Sequence, residues 1–561
     1  MTMQWARNLI LVALAIVSYL LILAWQKDYG NTTPNTSAES AVNRSVEPVK
    51  STDLPAPPPA NSDVPTVANA SAVAELNSVA AASTALIHVK TDVLDLKIDP
   101  VGGDIVNLSL PTYTTTVDSQ EAFKLLQNSR EHTYIAQSGL IGTNGPDQNP
   151  QGRPLYRVAK QNYQLTNQNT LEIPFVYSDN NGVEIQKIFT FNKGKYEIGV
   201  RYNVINRSQT PWHGVMFAQL KRDASEDPSK NHQGFGMVTY LGGAWGTTEK
   251  NYNKISFGDF SKEPLKEKVT GGWTAIVQHY FVTAWVPEAN TSNYLSTRSN
   301  DKGEYFIGFT SSDLTVNPGL QQSVKATLYA GPKLQDQLAK LSTGLELTVD
   351  YGFLWFISQF LFWVLQLLHG FLGNWGWSIV FLTLFVKLAF FHLSATSYKS
   401  MANMRRVMPE MQRIKEQYGN DRQKMSQAMM SLYQKEKINP VAGCLPILVQ
   451  MPVFLALYWT LMESVELRHA PWLLWITDLA AMDKYFVLPL IMGVTMYIQQ
   501  MLNPQPTDPM QAKVLKIMPI MFTVFMLWFP SGLVLYWVVN NILSIAQQWV
   551  INRQIEGADK K

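Results

Sequence analysis

YGFLWFISQFLFWVLQLLHGFLGNWGWSIVFLTLFVKLAFFHLSATSY, residues 351–398, contains a single charge, Lys387, in 48 positions. A helix that crosses a bilayer needs about 20 apolar residues, so the stretch holds one crossing or two, and that parity sets the topology of everything after it. Residues 399–437 carry nine Lys/Arg against four acids, which assigns them to the cytoplasm. Residues 8–26, 438–462, 485–507 and 517–552 carry no charge. Pro530-Ser531-Gly532 breaks the last of these, which therefore reads as two short helices joined by a tight turn.

With the start of the chain inside and residues 30–350 outside, only one crossing is allowed in 351–398. Residues 377–393 are the better candidate because they lead into the basic segment; residues 351–372 then lie along the outer interface, with Trp355 and Trp363 at headgroup depth. The expected architecture is a polytopic α-helical membrane protein of six spans, with a large periplasmic β-sandwich and a cytoplasmic helical hairpin. Its segments are a signal-anchor span (1–27), an Ala/Ser/Pro-rich flexible tether (28–85), the sandwich (86–340), an interfacial amphipathic helix (341–375) and a second span (376–398). The hairpin (399–437), third span (438–462), periplasmic loop (463–484), fourth span (485–502) and cytoplasmic loop (503–513) follow. A fifth span (514–529), a sixth (532–552) and a cytoplasmic tail (553–561) complete the chain. The first span has no small-residue cleavage site and reads as uncleaved; a cleaved signal peptide is the alternative.

Composition agrees with this division. The 561 residues are 46% hydrophobic and 16% charged, against about 25% charged in soluble proteins. Residues 1–350 hold 29 basic and 32 acidic side chains, net −3, and residues 351–561 hold 17 and 11, net +6. Neither half resembles a basic nucleic-acid-binding domain, and the lone Cys444 excludes a disulfide framework within the chain.

The external region alternates like strands. VLDLKID (93–99) puts Leu94, Leu96 and Ile98 on one face; residues 183–191, a turn at Asn192-Lys193-Gly194 and residues 196–207 read as a hairpin, preceded by a turn at Asn180-Asn181-Gly182. The region has no HExxH, P-loop, GxSxG or paired-cysteine spacing. His88, His132, His213, His232 and His279 are dispersed, and Trp245 and Trp273 either line a carbohydrate or peptide groove or pack in the core.

Lys387 is the most informative residue. At mid-span a lysine costs about 2.5–3.5 kcal/mol on insertion scales, so it either snorkels to the inner headgroups or faces a wet cavity. Thr383 lies one turn earlier on the same face. Gln450, Gln499, Asn540 and Asn541 either share that cavity or bond between helices. In the cytoplasmic segment, Met401, Met404, Met408, Met411, Ile414 and Tyr418 face Met425, Met429 and Leu432 across a turn at Gly419-Asn420-Asp421, with Asp421 as N-cap of the return helix. The methionine-rich seam suits changing partners.

Six stretches carry a resemblance: LTVDYGFLWFISQ (347–359), KINPVAGCLPILVQMPVFLALYW (437–459), SVELRHAPWLLWITDLAAMD (464–483), LPLIMGVTMYIQQ (488–500), TDPMQ (507–511) and FPSGLVLYWVVNN (529–541). With QHYFVTAWVP (278–287), they make the chain closely similar to the YidC/Oxa family of membrane protein insertases of Gram-negative bacteria. The resemblance implies a periplasmic β-supersandwich and a five-helix insertase core around a hydrophilic groove open to cytoplasm and lipid. It implies that Lys387 occupies the groove's basic position, where Arg is common; lysine keeps the charge and loses the planar fork. It puts Thr383 at a substrate contact and Tyr536 and Trp537 at the sixth-span aromatic pair. It also implies partner contacts at the hairpin, whose basic residues include Arg405, Arg406, Arg413, Lys415, Arg422 and Lys424. The implied partners are nascent membrane proteins with short translocated tails, the Sec translocon, ribosome and signal recognition particle components, and lipid, with no direct nucleic-acid contact. Such work moves a substrate between phases without bond chemistry, so no catalytic residue, metal or cofactor is expected. The chain would reside in the bacterial inner membrane with both termini cytoplasmic.

Two other classes make different demands. A solute transporter with a periplasmic binding domain predicts an inverted repeat, and the sequence has no internal repeat. A membrane-anchored carbohydrate enzyme predicts paired carboxylates at an external cleft.

Overall fold

The computed structural model describes residues 63–65, 85–149, 152–229, 239–419, 421–436, 445–503 and 509–558. The first span, most of the tether, His232 and Cys444 lie outside the described residues, as do the side chain of Arg422 and residues 559–561 of the tail.

Residues from Ile87 to Pro332 form two largely antiparallel sheets of eleven and eight strands. The larger runs through Lys266–Thr270, Ser292–Ser299, Tyr305–Ser311, Trp212–Arg222, Thr133–Ile141, Ala122–Asn128, Asp104–Thr114, Asp95–Asp99, Ile87–Lys90 and Asn162–Gln164, with Leu314–Val316 paired to one end of Trp212–Arg222. Leu94, Leu96 and Ile98 are buried together, as their alternation predicts. Val183–Asn192 pairs with Glu197–Asn206, Phe191 opposite Ile198. The tight turn between them needs Gly194 at φ 70°, a region open to glycine at little cost. One member of that alternation is polar: Lys187 takes a core position between Ile185 and Phe189 and donates to the carbonyls of Gly102, Gly103 and Ser138 at 2.9, 2.7 and 3.0 Å. Burial pushes its ammonium down to about 7. Trp245 and Trp273 line no groove. Both are buried in the sandwich core, and the Trp273 indole donates to Thr343 O at 3.1 Å.

Beyond the sandwich, helices α1 (Trp355–Leu372), α2 (Trp375–Ala389), α3 (Phe391–Tyr418), α4 (Arg422–Lys435), α5 (Leu445–Glu463), α6 (Val487–Leu502), α7 (Pro509–Met526) and α8 (Ser531–Ala558) follow. Among the described residues, Gly352–Leu372 and Ser531–Gln554 are each long and apolar enough to cross a membrane; α2 and α3 meet that test only as a pair, bent by 68°. α1 sends Trp355, Phe356, Phe360, Trp363 and Phe371 outward and packs Leu361, Val364 and Leu365 into a core shared with α2, α5, α6 and α8. Ser358 and Thr460 bind α1 to α5: Ser358 Oγ donates to Ala456 O at 2.9 Å, and Thr460 Oγ1 lies 3.3 Å from Ser358 O.

Several boundaries differ from expectation. The second span stops at Ala389, since Phe390 leaves helical geometry (φ −96°, ψ 13°) and begins a new helix in another direction. The hairpin's first arm therefore starts at Phe391 and is 28 residues long. α7 begins five residues before its expected start, so Lys513 rides on its early turns with Lys516 and not in a loop. α8 runs on to Ala558, absorbing most of the expected tail. Residues 463–484 are no open loop: Leu467, Ala470, Ile476 and Leu479 are buried against the helices, and Ala481 O and Leu479 O accept the amides of Ser531 and Gly532 at 2.7 and 3.0 Å. These contacts hold the Pro530-Ser531-Gly532 break in place.

The hairpin closes as its periodicity requires. Val407, Met411 and Leu432 are buried between the arms with Met404, Ile414, Met429 and Tyr433 beside them, and Asp421 accepts the amides of Gln423 and Lys424 at 3.1 Å. Met401, Met408, Tyr418 and Met425 are only half-buried; Val407 and Tyr433 supply the rest of the seam.

Candidate functional site

α8 packs on α2, α3, α5 and α6, and four of its polar side chains form one stripe. Tyr536, Asn540, Ser544 and Gln548 recur every four residues, so they stack on one face. Tyr536, Ser544 and Gln548 are each 2% exposed or less, as are Thr383 on α2 and Ser394 and Ser397 on α3. A file of buried hydroxyls and amides thus runs through an otherwise apolar helical body.

Lys387 points into this file. Its side chain is 6% exposed, and Nζ donates to Ser544 Oγ at 2.7 Å. Ser544 Oγ donates in turn to Asn540 O at 2.7 Å. Among the described residues no carboxylate pairs with Lys387. The lysine does not sit at mid-span, as its place within residues 376–398 suggested. It lies in the last turn of α2, two residues before the end at Ala389, where the carbonyl ends of the helix favour a cation by about 0.3–1 kcal/mol. It neither snorkels into open solvent nor meets a fixed counter-charge.

The expected site residues separate into two groups. Lys387, Thr383, Tyr536 and Asn540 come together along α2 and α8. Thr383 Oγ1 donates back to Ile379 O at 2.7 Å, a bond that leaves its lone pairs available. Trp537 turns away from the stripe: it packs edge-on against Phe454 and tilted against Phe522, with centroids at 4.7 and 5.0 Å. Gln450 and Gln499 are half-buried, and no described hydrogen bond joins them to the Lys387 group. On α6 the inward polar residue is Thr495, whose hydroxyl accepts from Asn541 Nδ2 at 3.2 Å. Ser544, Ser394, Ser397, Thr495 and Gln548 join the site beyond the residues expected from sequence. The four-residue spacing of Asn540, Ser544 and Gln548 was the available signal.

Of the hairpin cations, Arg413 and Lys424 are exposed, and Lys424 pairs with Asp421 at 3.3 Å. Arg405 donates to Met501 O at 2.9 Å, tying the first arm to the end of α6. Arg406 and Lys415 belong to the same long helix α3.

The sandwich is fastened to the other end of the helical body. Lys333 and Glu463 form a buried ion pair at 2.8 Å, and Lys333 Nζ also donates to Thr348 O at 3.2 Å. Arg468 donates to Thr114 O and Thr115 O at 2.7 and 3.1 Å. His279 Nε2 donates to Met462 O at 2.8 Å, the acceptor fixing the tautomer. Burial, reinforced by Lys333, pushes His279 down to about 3, so it stays neutral. Glu466 is pushed up to about 7 by burial, with Asp336 adding to the effect.

Comparison with known proteins matches the chain in two regions, which meet within α1. Residues 86–364 match the family described as YidC periplasmic domain, and residues 367–559 match 60Kd inner membrane protein. A protein named membrane protein insertase YidC from Azotobacter vinelandii is 56% identical over 558 residues, covering 99% of each chain. Its namesake from Pseudomonas aeruginosa is 55% identical over 582 residues, covering 100% of each. A crystal structure of an active YidC insertase with its first transmembrane domain resolved aligns with 83% of this chain and 92% of its own, at 18% identity and a TM-score of 0.38. By its identity to full-length relatives across both regions, the chain belongs to the YidC family.

Proposed function

We propose that this chain is a membrane protein insertase and membrane chaperone of the bacterial inner membrane. The observation that carries the reading is Lys387, a buried cation whose described partner is a neutral hydroxyl. A neutral acceptor holds an ammonium less strongly than a carboxylate would, so an acidic or polar segment of a visiting chain can replace Ser544. The cation draws that segment into the polar file while the visitor's apolar helix moves into lipid.

Short helices support the second half of the mechanism. α2 has 15 residues and α6 has 16, about 22–24 Å at 1.5 Å per residue, against a hydrocarbon core of about 30 Å. Mismatch of this size thins the bilayer and lowers the barrier for a polar loop. The short helices are α2 and α6; α7, expected to be short, has 18 residues. The work is partitioning of an intact substrate, needing no nucleophile, metal or cofactor, so we read the chain as a non-enzyme.

The basic hairpin sets the orientation: hairpin and both termini in the cytoplasm, sandwich in the periplasm. Parity then lays α1 along the outer interface, and its exposed tryptophans suit headgroup depth. Substrates are nascent membrane proteins with short translocated tails, delivered alone or with the Sec translocon; the exposed Arg413 and Lys424 offer a surface to ribosome and signal recognition particle components. Depletion of the protein followed by protease mapping of a short single-span test protein tests the reading. Its tail should stay cytoplasmic after depletion; normal translocation would refute the assignment.

A further inference from the structure

Sheet positions that alternate away from a sandwich core normally face water. On Trp212–Arg222, Met216, Ala218 and Leu220 join the core between the sheets, so Val215, Phe217, Gln219 and Lys221 point to the opposite face. Those four are nevertheless 8% exposed or less. Part of their cover is Arg153, whose guanidinium lies 5.7 Å from the Phe217 ring centre. Further cover comes from Asp63 and Val64, far away in sequence.

The contacts to this dipeptide are specific. Lys221 Nζ pairs with the Asp63 carboxylate at 2.9 Å. Gln219 Nε2 and Arg298 Nη2 both donate to Asp63 O, at 2.6 and 2.7 Å. Val64 packs on Ile141, Val215 and Phe217. The groups that hold the dipeptide are themselves held: Arg298 lies over the Phe306 ring at 3.6 Å, Gln219 bonds Gln137 Oε1 at 2.9 Å, and Lys221 also meets Glu304 at 3.0 Å. Two cations, one amide donor and an apolar patch, carried and braced by four adjoining strands, form a preorganised peptide site. The tether also repeats the docked pattern. Ser62-Asp63-Val64-Pro65 has a counterpart ten residues earlier, Thr52-Asp53-Leu54-Pro55, which lies outside the described residues.

We propose that the outer face of the large sheet is a docking site for an Asp-apolar-Pro segment, filled by the chain's own Asp63-Val64-Pro65. Docking moves the anchor point of the tether from the first strand at Ile87 back to Asp63, shortening the span of chain between the first membrane segment and the sandwich. The site lies on the sheet, away from Lys387, and does not depend on the insertase reading.

Thiol labelling tests it in the full-length chain. Cys444→Ser removes the single native thiol and Val64→Cys places a reporter at the patch, read with a polar maleimide. The docked thiol should react at least about tenfold more slowly than in the urea-unfolded chain. Asp63→Ala, a change outside both sheets, should bring the rate close to the unfolded value. An excess of synthetic KSTDLPAP, residues 50–57, should also speed labelling, and KSTNLPAP should not. Labelling as fast as in the unfolded chain, or a slow rate unaffected by Asp63→Ala, overturns the docking. Failure of KSTDLPAP to displace the segment overturns the ligand class.

Discussion

Lys387 Nζ donates to Ser544 Oγ at 2.7 Å, and Ser544 donates onward to Asn540 O, also at 2.7 Å. The cation of α2 is thus anchored to α8 through one hydroxyl, with no carboxylate in the relay. A resident acid would have neutralised the lysine and occupied it permanently. A serine satisfies it while leaving its full charge available to an incoming anion.

The charge, and not the shape, of residue 387 should therefore govern substrate capture. Lys387→Arg should support growth and insertion near the parent level. Lys387→Ala should lower insertion of substrates with acidic translocated tails by about tenfold or more, since hydrogen bonds to charged groups contribute about 1.5–3 kcal/mol. Pulse-labelling with protease protection reads the difference.

Ser544 should matter to the resting protein. Ser544→Ala leaves a buried ammonium without its acceptor, at a cost of about 1–3 kcal/mol; Ser544→Thr keeps the hydroxyl and most of the stability. Thermal unfolding in detergent should rank parent, Thr and Ala in that order.

The junction between sandwich and helices depends on Lys333 and Glu463, whose side chains are 2% and 8% exposed. Lys333→Met should destabilise by about 3–5 kcal/mol, because it strands a buried carboxylate. The double variant Lys333→Met/Glu463→Met should recover most of that loss, as the stranded charge is gone. A double-mutant cycle on unfolding midpoints measures the coupling.

Glu466 gives the junction a pH dependence of definite sign. Its carboxyl is raised from 4.5 to about 7 in the folded protein, chiefly by burial. Between those values the unfolded chain has released the proton and the folded chain still holds it, so stability is full below 4.5 and falls as pH rises through 7. The shift corresponds to about 3 kcal/mol. Glu466→Gln should reduce the fall in unfolding temperature between about pH 5 and about pH 8.

Elements whose apolar residues follow one period were legible in advance. The hairpin seam, the strand pair around Gly194 and the polar step from Thr383 to Lys387 all follow from spacing. Three features were not. Phe390 ends α2 with no proline or glycine to mark it, so Lys387 read as mid-span when it lies in a last turn. Residues 463–484 contain Arg468, Asp478 and Asp483 and read as a loop, yet their charges are spent on bonds inside the fold: Arg468 reaches Thr114 O and Thr115 O of the sandwich, and Asp483 takes the nearby amides of Tyr485 and Leu488. Ser544 shares a four-residue spacing with Asn540 and Gln548, but that spacing shows only a polar stripe; that the stripe receives Lys387 depends on how α2 packs against α8.

The most direct test is a charge exchange across the groove. Purified chain carrying Lys387 or Lys387→Glu is placed in lipid vesicles with a single-span substrate whose translocated tail is acidic or basic, and the protease-protected fraction is measured. Lys387→Glu should lower protection of the acidic tail and shift relative preference to the basic one. Equal insertion of the acidic tail by both proteins would contradict the electrostatic role of Lys387.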